Sequence, residues 1–118
     1  MKMQDERQQA AAWFRGLRDR IVAAFEALED RGPGQAAPGR FELRETQRGG
    51  DGGTDGGGGL MSVMRGGRVF EKVGVNWSAV HGELSPAARQ SMAARGVPGI
   101  EADPRFWASG ISLVAHMQ

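Results

Sequence analysis

Two histidines, His81 and His116, and one serine, Ser112, carry the side chains best suited to chemistry in this chain. The histidines lie thirty-five residues apart and neither has a helical H-x-x-x-H partner, so their spacing does not mark a metal site. A hydrogen-bonded structural histidine is the alternative at each position. The other biased stretch is G-G-D-G-G-T-D-G-G-G-G at residues 49–59, eight glycines interrupted by Asp51, Thr54 and Asp55. No frame of it gives G-x-G-x-x-G, and no Lys-Ser or Lys-Thr follows as a phosphate loop requires. It reads as a flexible loop across residues 46–59, the alternative being a surface of backbone amides that closes over an anion. The absence of cysteine removes thiolate catalysis, disulfides and Cys-ligated zinc.

These residues need elements to position them. Residues 69–82 read as the central strand: Val69, Val73, Val75 and Trp77 fall on one face, with Phe70, Lys72, Gly74, Asn76 and Ser78 on the other. Gly74 marks a bulge or a close approach. Residues 60–64 and 68–80 form an antiparallel hairpin through Arg65, Gly66 and Gly67, with Met61 and Met64 as core fillers. Before it, residues 8–30 form an amphipathic helix whose stripe is Trp13, Leu17, Ile21, Ala24 and Leu28, ended by Gly32, Pro33 and Gly34. That stripe suits packing on a sheet, the alternative being a partner or membrane groove. Residues 41–45 alternate weakly, as an edge strand does. After His81, Ser85 and Pro86 start a short helix over residues 87–95 that Gly96 and Pro98 end. Residues 106–115 resume a strand whose alternation places Ser112, Val114 and His116 on one face. The fold class expected is α+β, an antiparallel sheet flanked by helices.

The segment R-V-F-E-K-V-G-V-N-W-S-A-V-H-G-E-L-S, with F-W-A-S-G-I-S-L-V-A-H after the short helix, resembles the oxygen-dependent coproporphyrinogen III oxidases. That family removes CO2 and hydride from two propionates of coproporphyrinogen III to leave vinyl groups, in haem biosynthesis. The resemblance implies that residues 1–118 are the N-terminal part of one such domain, with a glycine run longer than the family's. It implies O2 as co-substrate without flavin, haem, nicotinamide or another organic cofactor, and a divalent metal whose requirement varies. Ser112 matches the family's substrate-contacting serine and His116 a proposed metal ligand in the pocket. The hairpin region, Val69, Phe70, Glu71 and Lys72, matches a homodimer contact. The family's proton-donating histidine and its Asn-x-Arg strand have no counterpart up to Gln118, so the catalytic residues stay unassigned.

Composition constrains the rest. With 118 residues, 15 basic and 14 acidic side chains and a net charge of +1, the chain holds at most one small domain and shows no nucleic-acid or anionic-membrane footprint. The N-terminal apolar run at residues 21–25 is too short for a membrane span or a signal peptide, so a cytoplasmic protein is expected. Two rival readings remain open: a truncated, non-enzymatic association module, and a fragment with no activity of its own. The architecture predicts slow amide exchange at residues 73–77 and fast exchange across residues 49–59. The reverse pattern would contradict it.

Overall fold

In the computed structural model, which describes residues 2–48 and 56–118, the elements in chain order are α1 (Lys2–Arg31), β1 (Phe41–Gln47), β2 (Gly57–Arg65), β3 (Phe70–Glu83), α2 (Pro86–Ala94) and β4 (Arg105–Met117). The strands pair antiparallel in the order β1-β2-β3-β4, each beside its sequence neighbour, and the arrangement is α+β. β1 is the edge strand that its weak alternation predicts. The hairpin of β2 and β3 turns at Gly66, whose φ of +61° is a conformation that side chains disfavour. Ser85 caps α2, its hydroxyl accepting from the Ala88 N–H at 3.2 Å, and Pro86 occupies the first turn as expected.

The core lies between α1 and one sheet face. Met64, Phe70, Val73 and Val75 are buried, with Ile21, Val22, Phe25, Phe41, Val69 and Ile111 packed against them. Phe25 meets Phe70 edge-on at 5.0 Å between centroids and Phe41 at 6.4 Å. Three expectations change here, the first being Met61, which is exposed on the other sheet face and does not fill the core. The helix stripe is rotated: Trp13, Ala24 and Leu28 are exposed, whereas Arg18, Ile21, Val22, Phe25 and Glu29 face the sheet. Hydrophobicity alone misplaced the stripe because two of its buried positions are charged. In β3 the register shifts between Phe70 and Lys72, so Phe70 and Val73 enter the same core although their parity differs. The bulge is at Glu71 and not at Gly74, which pairs regularly with Val63 and Val114.

The charged positions on the buried helix face have partners. Arg18 donates to Ser62 Oγ on β2 at 3.0 Å and pairs with Asp19. Glu29 is fully buried, and its carboxylate accepts the backbone N–H groups of Gly39 at 2.8 Å, Val69 at 2.7 Å, Phe70 at 2.9 Å and Arg68. In return the Arg68 side chain donates to the carbonyls of Ala36 at 2.9 Å, Glu29 and Asp30 at 3.3 Å and Gly32 at 3.4 Å. It thus caps the C-terminal end of α1, where orphan carbonyls and the helix dipole favour a cation. Gly67 is required here, since a Cβ on it would lie 2.6 Å from Glu29 Oε1.

Residues 46, 47 and 57–59, expected in the glycine-rich loop, are strand instead: Gly58 and Gly59 pair with Gln47 and Thr46 of β1, and Gly57 with Val80 of β3. A Cβ on Gly59 would sit 2.0 Å from the Trp77 carbonyl oxygen, so this stretch of strand admits only glycine. Residues 49–55 of that loop lie outside the described residues.

Burial alone pushes the Glu29 carboxyl up, but the N–H donors of Gly39, Phe70, Val69 and Arg68 outweigh it and bring it from 4.5 down to about 2. Because the folded value is the lower one, the stabilisation is complete above pH 4.5 and is lost as the pH falls toward 2, in total about 3 kcal/mol. Glu29→Gln, which turns an acceptor into a donor facing donors, should lower stability by about 3 kcal/mol at neutral pH and flatten the acid dependence below pH 4.5. Urea unfolding as a function of pH measures both. An acid transition identical to that of the parent sequence would contradict the assignment.

Candidate functional site

Because α1 covers one face of the sheet, the other face is open, and both Ser112 and His116 belong to it. Directly opposed residues of an antiparallel pair share a face, so the register lays out this surface in rows across the strands. One row is Arg65, Lys72 and His116. The next is Glu42, Val63, Gly74 and Val114, and the third is Arg44, Met61, Asn76 and Ser112. Thr46, Gly59, Ser78 and Gly110 follow. Ser112 and His116 are both exposed, and four residues along a strand separate them by about 13 Å.

Small residues dominate the centre of this face and cations its margin. A Cβ on Gly74 or Gly110 would meet nothing within 4 Å, so both positions leave open space above the sheet. Asn76, Ser78, Gly110 and Ser112 line a shallow depression of about 330 Å³. Ser109 donates to the Ser78 carbonyl at 2.7 Å and fixes the β3–β4 edge beside it. Arg44, Arg65 and Lys72 are exposed around this centre, with Glu42 as the opposing charge in the same rows. The surface can therefore seat a flat, polyanionic ligand, its body over the small residues and its acids toward the cations. Sequence alternation already grouped Lys72, Gly74, Asn76 and Ser78; the contributions of Arg44 and Arg65 emerge only from the strand register.

His81 lies elsewhere. With Arg7, Glu83, Asp103, Arg105 and Trp107 it lines a larger cleft of about 910 Å³ between the N-terminal half of α1 and the β3–β4 ends. Its cations are engaged: Arg105 holds both carboxylate oxygens of Asp103 at 2.8 Å, and Arg7 stands 6.0 Å from the Trp107 ring centroid. The Arg105 side-chain and backbone hydrogen bonds hold the Asp103 carboxyl at about 2. With Glu83 and Asp103 in its wall, the cleft suits a polyanion less well than the open face does.

For a metal, the local donor set is insufficient. Among the described residues no group of three or more His, Asp or Glu side chains could hold an ion, and Lys72 is the cross-strand neighbour of His116. A cation beside a single imidazole does not make a metal centre. Of the expected dimer contact, Phe70 is buried against Phe25 and Val69 packs on the core, which leaves Glu71 and Lys72 exposed.

The family model described as coproporphyrinogen III oxidase matches residues 9–118. An oxygen-dependent coproporphyrinogen-III oxidase of Rickettsia bellii (strain RML369-C) is 46% identical over 114 residues, covering 95% of this chain and 37% of the relative. Proteins of the same name from Rickettsia peacockii (strain Rustic) and Rickettsia akari (strain Hartford) are 44% and 45% identical over 110 and 108 residues. They are covered to 36% and 35% of their lengths, so the chain spans about a third of the curated relatives it matches. With a match across almost the whole chain, the chain belongs to the coproporphyrinogen III oxidase family.

Proposed function

We propose that this chain is part of a longer oxygen-dependent coproporphyrinogen III oxidase and supplies one wall of its substrate pocket. The observation that carries the reading is the open sheet face, where small residues around Ser112 are bordered by Arg44, Arg65 and Lys72. Coproporphyrinogen III is a macrocycle with four propionates, and the relatives are named for its oxidation. Each of two propionates loses CO2 while its β-carbon gives up a hydride to O2, which takes a proton and leaves as H2O2, so that each side chain becomes a vinyl group. The residues on this face bind and orient. Ser112 offers a hydroxyl donor to a propionate, and the marginal cations attract the remaining acids. Fixing the reacting propionate can contribute on the order of 7 to 11 kcal/mol in favourable cases.

The reading extends to a cytoplasmic homodimer; of the contact residues the family resemblance implies, Glu71 is the exposed one that does not border the substrate face. No helix among the described residues is long and apolar enough to cross a membrane. A metal role for His116 would need ligands that the described residues do not supply.

The direct test is turnover. Coproporphyrinogen III prepared without O2 is mixed with the full-length protein, O2 is admitted, and product is read by fluorescence after oxidation. Conversion to protoporphyrinogen IX by the full-length protein and none by residues 1–118 alone is expected; a folded full-length protein without turnover would remove the reading. Within that assay, Ser112→Ala deletes a hydrogen bond to a charged group, so KM should rise about tenfold to a hundredfold. An unchanged KM would take Ser112 out of the substrate contact. Lys72→Ala and Arg65→Ala should raise KM most at low ionic strength, where exposed charges act furthest. A change that is independent of salt would indicate a packing defect.

A further inference from the structure

On the open face the side-chain oxygen of Asn76, Oδ1, is buried and left without a partner among the described residues. Two other buried side-chain atoms share that condition, Arg18 Nε and Arg89 Nε. Arg18 belongs to the interface beneath α1, where its guanidinium already bonds Ser62 and Asp19, and Arg89 lies on the connector helix. Asn76 differs, because it lines the depression on the open face and stands directly opposite Ser112.

None of its neighbours on that face donates to it. Met61 opposes it on β2, Gly74 and Ser78 lie two residues away along β3, and Gly110 and Val114 flank Ser112. Gly74 and Gly110 leave open space over their own positions beside it. An amide oxygen buried without a donor weakens a fold, and one held at the floor of an open depression is placed for a donor that arrives with a ligand.

We propose that Asn76 is a substrate-binding residue whose Oδ1 accepts a hydrogen bond from a pyrrole N–H of the bound porphyrinogen, while Ser112 engages a propionate. This rests on the function proposed above. The division of labour follows from chemistry: the macrocycle presents N–H donors at its centre and carboxylate acceptors at its margin. The face presents an acceptor within its small-residue area and donors around it. Asn76 therefore reads the reduced, N–H-bearing ring and sets its height over Gly74 and Gly110.

The experiment uses full-length protein and anaerobic coproporphyrinogen III, with Kd measured before O2 is admitted, KM and kcat afterwards, and Tm for each variant. Asn76→Ala should weaken binding about tenfold without lowering Tm, because the oxygen it removes has no partner in the free protein. Asn76→Gln, which keeps a neutral amide acceptor and adds no charge, should bind more tightly than Asn76→Ala. The proposal is overturned if Asn76→Ala binds as the parent does, if its affinity and Tm fall together, or if Asn76→Gln is as weak as Asn76→Ala. A parent sequence that binds no porphyrinogen would overturn the proposed function as well, so the two failures are distinguishable.

Discussion

The structure depends on a reciprocal contact between the end of α1 and the turn of the β2–β3 hairpin. Glu29 reaches from the helix to the backbone N–H groups of Gly39, Arg68, Val69 and Phe70, and Arg68 reaches from the turn to the helix-end carbonyls. Each side chain satisfies groups that the other element leaves without a partner in regular structure. A buried carboxylate would otherwise weaken the fold; four donors, all from the main chain, reverse the sign of that contribution. Since the main chain is the donor, the contact fixes the positions of backbones, and hence which face of the sheet the helix covers. Trp77 adds a second attachment further along, donating its indole N–H to the Ala11 carbonyl at 3.1 Å.

Covering one face leaves the other uncovered among the described residues. The β3 bulge separates the two roles: before it Phe70 turns inward to Phe25, and beyond it Lys72, Gly74, Asn76 and Ser78 line up on the open side. Pairing with β4 then sets His116, Val114, Ser112 and Gly110 beside them one by one. A slip of a single residue would send Ser112 and His116 to the helix side. The tight hydrogen bonding at the hairpin turn therefore controls the chemistry of a surface several residues away.

The parts legible in the sequence were those governed by local rules. Gly66 and Gly67 mark the turn, Ser85 and Pro86 mark the start of α2, and strict alternation grouped the open-face residues of β3 and β4. What escaped was decided by tertiary contact. Arg18 and Glu29 count as surface residues by type, so the helix stripe seemed to run through Trp13 and Leu28 instead. Residues 57–59 look like loop because they are glycine, yet glycine is there because neighbouring strands leave no room for a Cβ. Asn76 showed in sequence only as a polar strand residue; its orphaned oxygen requires coordinates.

The central claim is that substrate lies on the open sheet face, and not in the larger cleft lined by His81 and Trp107. A crystal structure of the full-length protein with coproporphyrinogen III bound under anaerobic conditions tests it most directly. The macrocycle is expected over Gly74 and Gly110, within hydrogen-bonding distance of Asn76 and Ser112, with propionates toward Arg44, Arg65 or Lys72. A macrocycle bound in the cleft beside Arg7 and Arg105, with the open face covered by other parts of the chain, would contradict it.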